Sequence, residues 1–284
     1  MRFPGGRLRR AMPAVAVAIG MALIPAAPAG GEPLPGAVST APPTGPAPAW
    51  LVADLGTGHI LGSHDPNGKH APASTIKPLL AMVIMDQVAP DATMTANAAD
   101  TNVECTCVGV TPGTVYTARQ LLDALLMVSG NDAANALADM VGGYKAAVQK
   151  MNAKAAQIGA RSTRAGSPSG LDGPGWESVT TPVDLATIYR AALAYPLFGQ
   201  IIHQRTATFP DGRGGVKQIA SHDHLLPDYP GFIGGKTGYT NLAKETYVAM
   251  AQRGDTRLVA VMMYGSDDLW DQGRALLDWG FAQR

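Results

Sequence analysis

Cysteine and glutamate are both scarce in this chain. Cys105 and Cys107 are its only cysteines, too few for a disulfide framework. With no histidine beside them they are also short of ligands for a zinc site. A local disulfide and a pair of free thiols both remain open. The only glutamates are Glu32, Glu104, Glu177 and Glu245, which limits the places where a longer carboxylate could act as a general base. Net charge is zero, with Lys and Arg scattered, so nothing points to a polyanion or nucleic-acid partner. No His-Glu-x-x-His cluster occurs, which argues against metal-assisted chemistry. The longest apolar run, Ala11 to Ile24, falls short of the roughly 20 residues that a membrane-spanning helix needs.

That run follows Arg2, Arg7, Arg9 and Arg10 and precedes Ala27-Pro28-Ala29, the layout of a signal peptide over residues 1–29. Residues 30–48 are rich in Pro, Ala and Gly and read as a flexible leader. The globular part is expected over 49–284. Leu51 to Asp54 and His59 to Leu61 flank Gly56-Thr57-Gly58 like a hairpin, and further strands are expected at Thr246 to Ala251 and Leu258 to Tyr264. The middle is helical by its apolar spacing, clearest in Leu79 to Val88, Leu121 to Val128, Ala133 to Val141 and Leu185 to Ala194. Thr117 and Gln120 form a capping-box pattern, Gly142-Gly143 stops a helix, and Thr181-Pro182 opens one. Asp268 to Trp279 reads as an amphipathic helix that would cover a sheet. The order of elements implies an α+β fold, an antiparallel sheet built from both ends of the chain with helices beside it and a helical lobe between.

Three short motifs carry the chemistry. Ser74-Thr75-Ile76-Lys77 starts an apolar helix pattern and puts a hydroxyl and an amine one helical turn apart. A serine needs a base to become nucleophilic, and a lysine whose pKa is depressed can serve. Ser129-Gly130-Asn131 lies in the break between two helices, where side chains can face a cleft, although Asn131 or Asp132 could equally cap the next helix. Lys236-Thr237-Gly238, with Gly234-Gly235 before it and Tyr239-Thr240 after, could let a peptide lie against its backbone as an added strand. Each motif alone is weak; the ordered set is specific.

Taken together, Ser74-x-x-Lys77, Ser129-Gly130-Asn131 and Lys236-Thr237-Gly238 resemble the signatures of penicillin-binding proteins and serine β-lactamases. Ser129-Gly130-Asn131-Asp132-Ala133 and Gly235 to Thr240 are most similar to the low-molecular-mass D-alanyl-D-alanine carboxypeptidases of peptidase family S11, a resemblance that runs from Trp50 to Phe281. It implies a β-lactamase/transpeptidase-like fold, no cofactor, and cleavage of the terminal D-alanine from peptidoglycan stem peptides, with β-lactam antibiotics as acylating inhibitors. On matching positions it implies Ser74 as nucleophile, Lys77 as acylation base and Ser129 as proton relay. Asn131, Lys236, Thr237, Gly238 and Tyr239 would bind substrate, with the backbone amides of Ser74 and Tyr239 as oxyanion hole. Some relatives place an arginine near the substrate carboxylate; the local candidates for a cation here are His222 and Arg274. Many relatives continue beyond the equivalent of Phe281, so a C-terminal membrane anchor is not expected. The signal peptide implies an exported protein of the periplasm or cell-wall space.

Three rival readings fit the residues less well. A class A β-lactamase commonly uses Glu in a Glu-x-x-x-Asn motif, and no glutamate here has Asn four residues on. A Ser-His-Asp hydrolase would need a Gly-x-Ser-x-Gly elbow, but Gly166-Ser167-Pro168-Ser169-Gly170 has proline at the nucleophile position. A catalytically idle wall-binding module finds no support, because all three motifs are intact.

Overall fold

The computed structural model describes residues 41–43, 47–265 and 268–284. The expected signal peptide lies outside the described residues, as does the leader apart from 41–43 and 47–48. In chain order, the hairpin of β1 (Ala49–Asp54) and β2 (Ile60–His64) leads through a 3-10 segment, Ala73–Ile76, into α1 (Lys77–Gln87). A ribbon of β3 (Thr93–Thr95) and β4 (Val115–Thr117) brackets the short α2 (Ala98–Thr101). Helices α3 (Ala118–Met127), α4 (Asn131–Asp139), α5 (Tyr144–Gln157), α6 (Pro182–Ala192) and α7 (Pro196–His203) follow. A second ribbon, β5 (Thr206–Pro210) with β6 (Val216–Ala220), and the short α8 (Leu225–Asp228) precede β7 (Phe232–Thr240), β8 (Lys244–Arg253), β9 (Thr256–Met263) and α9 (Leu269–Ala282).

The main sheet runs β2-β1-β9-β8-β7, with every neighbouring pair antiparallel. N-terminal and C-terminal strands therefore share it, as the sequence order predicted. Both faces are covered, and the period-two alternation of each strand sorts side chains between them. Val52, Ala249, Leu258, Ala260 and Met262 pack with Leu276, Leu277 and Trp279 of α9. Leu51, Val248, Met250, Val259 and Val261 turn the other way, into the larger core of the helical lobe. Because each face meets a core, β8 and β9 read as near-continuous apolar runs.

Helix α1 is central. Leu79 through Ile84 are all at most 1% exposed, the signature of a helix apolar on every side and buried on every side. Pro78 lies in its first turn, where no intrahelical donor is lost. The expected punctuation is in place: Thr117 and Gln120 make a reciprocal capping box, and Thr181 accepts from the Asp184 amide ahead of Pro182. Helix α5 was not anticipated, because its buried stripe is Ala147, Met151 and Ala155, a spacing of four carried mostly by alanine. No single helix among the described residues is long and apolar enough to cross a membrane.

Candidate active site

The cleft lies where the start of α1, the α3–α4 break and the edge strand β7 meet. Ser74 sits in the 3-10 segment behind Ala73, a non-glycine residue with φ of 48°, a conformation that needs support from its surroundings. That support is visible. The hydroxyls of Thr75 and Thr246 both donate to the Pro72 carbonyl, at 2.6 and 3.0 Å, and the Tyr189 hydroxyl donates to the Thr75 carbonyl at 3.1 Å.

Lys77 is fully buried, with Nζ 2.7 Å from Ser74 Oγ, 2.8 Å from Asn131 Oδ1 and 2.7 Å from the Ser169 carbonyl. Burial drives its pKa well below the ordinary lysine value, the nearby Lys236 charge lowers it further, and Asp132 opposes the shift. A neutral amine has two N–H donors and one lone pair. The amide and carbonyl oxygens of Asn131 and Ser169 can take the two donors, which leaves the lone pair facing the Ser74 hydroxyl.

Ser129 takes φ of 63° in the turn between α3 and α4 and is buried. Asn131, the first residue of α4, is held on three sides: Oδ1 by Lys77, Nδ2 donating to the Glu104 carbonyl at 2.8 Å, and its amide donating to the Thr106 carbonyl at 2.7 Å. Asp132 does not reach into the cleft; it accepts from the amides of Val108, Gly109 and Val110 at 3.0, 2.8 and 2.8 Å, and from its neighbour Ala133 at 2.9 Å. The segment from Glu104 to Val110 is thus strapped to the α3–α4 turn. Cys105 and Cys107, left open by the sequence, are disulfide-bonded within it.

On the opposite wall, Lys236 of β7 is buried, and its Nζ donates to the Thr237 carbonyl at 2.7 Å. Burial lowers its pKa to about 7, against the supporting charge of Asp223. Gly238 is where the strand comes nearest to the nucleophile. A Cβ built there would stand 2.7 Å from the Ser74 amide nitrogen and 2.6 Å from Thr246 Oγ1, so only glycine permits this approach. Tyr239 is exposed beyond it. His222, largely exposed, lines a small pocket with Lys236 and Thr237, and its pKa is lowered by partial desolvation and by the charge of Lys236. Arg274, the other candidate cation, instead lies 5.5 Å over the Tyr229 ring. Beside Ser169, whose carbonyl accepts from Lys77, a cavity of about 480 Å³ opens, lined in part by Glu104, Tyr144, Leu171 and Trp176.

The structure therefore brings Ser74, Lys77 and Asn131 into hydrogen-bond contact and sets Gly238 against the Ser74 amide, with Lys236 near enough for its charge to act on Lys77; Ser129 lies in the turn just before Asn131, and Thr237 and Tyr239 flank Gly238 on β7. Ser169 and Glu104 were not legible as site residues, because each contributes a backbone carbonyl, which has no side-chain signature. Neither Asn131 nor Asp132 caps the next helix as the sequence allowed: α4 starts from Gly130 with no side-chain cap, Asp132 lies in its first turn, and its hold on residues 108–110 has no local signature.

Comparison with known proteins agrees with this geometry. A family model described as D-alanyl-D-alanine carboxypeptidase matches residues 37–267. The D-alanyl-D-alanine carboxypeptidase DacB2 of Mycobacterium tuberculosis is 56% identical over 245 residues, covering 84% of each chain. A crystal structure of a D-alanyl-D-alanine carboxypeptidase from the same organism superposes with a TM-score of 0.84 at 54% identity, over 88% of this chain and 96% of that one. The Streptomyces DD-transpeptidase superposes with a TM-score of 0.80 at 27% identity, over 86% of this chain and all (100%) of its own. Motif order, cleft and overall likeness converge: the chain belongs to peptidase family S11, the D-alanyl-D-alanine carboxypeptidases.

Proposed function

We propose that this protein removes the terminal D-alanine from peptidoglycan stem peptides through an acyl-enzyme on Ser74. The observation that carries the reading is the 2.7 Å contact between Ser74 Oγ and an amine that is fully buried. Neutral Lys77 takes the hydroxyl proton as Oγ bonds to the carbonyl carbon of the D-Ala-D-Ala peptide. The backbone amides of Ser74 and Tyr239 receive the oxyanion, and their hydrogen bonds strengthen as charge develops there. The carbonyl re-forms as the C–N bond breaks, and Ser129 passes a proton to the departing amine. Water then attacks the ester, releasing the shortened peptide and restoring Ser74.

The placement of groups suits that substrate. A peptide laid along β7 would add a strand to the open edge, with its terminal carboxylate toward Lys236, Thr237 and His222. An arriving carboxylate favours the protonated form of Lys236. The rest of the stem peptide runs toward the cavity beside Ser169. Asn131 hydrogen-bonds the peptide backbone while it fixes Lys77. Export to the periplasm or cell-wall space is supported by the arginine-rich start and the apolar run from Ala11 to Ile24.

The test is D-alanine release from a peptide ending in D-Ala-D-Ala, with penicillin as a second probe. Wild-type protein releases D-alanine and is covalently acylated by penicillin; Ser74→Ala loses release by about a thousandfold or more. Release by Ser74→Ala at the wild-type rate would remove Ser74 from the mechanism. Rapid multiple-turnover penicillin hydrolysis would favour a β-lactamase, and peptide binding without release a wall-binding module.

A further inference from the structure

We propose that the Cys105–Cys107 disulfide is a positioning element of the active site, shaping the strap whose carbonyls hold Asn131 and, through Asn131, hold Lys77 against Ser74. The inference rests on the functional reading above. The segment between α2 and β4 has no ladder of its own around the bridge. What fixes it is a set of contacts with the α3–α4 turn: the Glu104 and Thr106 carbonyls accept from Asn131, and three amides from Val108 to Val110 donate to Asp132. The bridge lies in the midst of these contacts. Glu104 precedes the first bridged residue and Thr106 is enclosed by the ring. The two cysteine Cα atoms are 4.8 Å apart, whereas residues two apart in an extended strand span about 6.6 Å, so the bridge holds the chain in a turn.

A loop this short adds little to global stability, because the chain-entropy gain of a disulfide grows with loop length. Its effect is local. An opened strap would free both carbonyl anchors of Asn131, and Asn131 would no longer confine Lys77 or keep water from it. The charged groups that face Lys77 are Lys236 from β7 and Asp132 from α4; Lys236 does not touch the strap, Asp132 would give up amide partners in it, and the gain in hydration would raise the Lys77 pKa. Acylation, which needs the neutral amine, would then rise with pH about a higher midpoint. Cys105 is exposed and Cys107 half-buried, so a reductant reaches the bond.

The test compares the oxidised full chain, the same protein treated with a water-soluble phosphine, and the Cys105→Ala/Cys107→Ala double variant. The phosphine cleaves the S–S bond to two thiols while it takes up the oxygen of a water molecule, whose protons go to the sulfurs. Acylation by a fluorescent penicillin and D-alanine release are followed across pH, with melting temperature alongside. The expected result is a loss of about tenfold or more in acylation, on the scale that small misplacements of catalytic groups produce. It is accompanied by an upward shift of the pH midpoint and a nearly unchanged melting temperature, and reoxidation of the reduced wild type restores the rate. Should the double variant fail to fold, the reduced wild type still supplies the comparison. An unchanged rate and midpoint after reduction would overturn the inference, as would a loss that only tracks the unfolded fraction. An oxidised protein that neither takes penicillin nor releases D-alanine would overturn the functional reading first, and this inference with it.

Discussion

The main sheet has two edges, and they are built for opposite ends. Strand β2 is five residues long and mostly solvent-exposed, which is how a protein blunts an edge against unwanted pairing. Strand β7 is nine residues long, largely buried, and contains Gly234, Gly235 and Gly238. It lies at the end of the sheet with one side unpaired, and that side meets the Ser74 segment. A long edge with few side chains is a hazard elsewhere in a protein; beside a nucleophile it is a template for an extended peptide. The contrast supports the proposal that the unpaired edge of β7 is part of the site, whereas β2 only finishes the sheet.

The same substitution made at both edges breaks this comparison in the most direct way. At Gly238 a methyl group would collide with the Ser74 amide and Thr246, forcing β7 away from the 3-10 segment and opening the proposed oxyanion site. Gly238→Ala is expected to lower penicillin acylation by about a hundredfold; acylation within a few-fold of wild type would show that the close approach has no catalytic use. At Gly62 the methyl group would meet the Trp279 ring at 2.5 Å. Gly62→Ala is expected to cost stability, about 1–3 kcal/mol as for other overpacked sites, while acylation per folded molecule stays at the wild-type level. Thermal melts together with burst titration by penicillin separate the two effects, and a catalytic defect in Gly62→Ala would erase the distinction between the edges.

Much of this contrast was legible before any coordinates. The Ser-x-x-Lys spacing survives from sequence to structure because three residues of helix keep both groups on one side, and Lys236-Thr237-Gly238 advertises its strand through its glycines. The hairpin, β8, β9 and α9 were expected to within a few residues, since each carries a strong apolar pattern. The β5–β6 ribbon and α7 went unseen, and so did α5, whose alanine stripe looks polar because Lys145, Lys150 and Lys154 interrupt it. What could not be read was the pairing of distant segments: the Ser169 carbonyl reaching Lys77, or Asp132 gathering residues 108–110. Such contacts depend on where the chain returns, and no local period records that.

Asp223 offers the most selective test of how β7 is supported from behind. It stood in the sequence as part of His222-Asp223-His224, and the structure puts it against the buried side of the strand. Its Oδ1 accepts from the Tyr247 hydroxyl at 2.8 Å and the Leu225 amide at 3.0 Å, while Oδ2 has no hydrogen-bond partner. Burial raises its pKa from 3.8 to about 6. Between those values the folded protein keeps a proton that the unfolded chain has released, so wild-type stability falls as pH rises from 3.8 to about 6, and above that the whole cost of the ionised group is present. Asn cannot ionise, so Asp223→Asn lacks this decline and should gain on the wild type across the same window, by at most about 1.4 kcal/mol per pH unit. Denaturant melts of both proteins at several pH values between 4 and 6 read the difference directly; parallel profiles would mean that the carboxyl titrates in the folded protein as it does in the unfolded chain. Because the Asp223 charge supports protonation of Lys236, the same variant should also move the Lys236 titration below about 7, linking the back of this edge to the wall proposed to receive the substrate carboxylate.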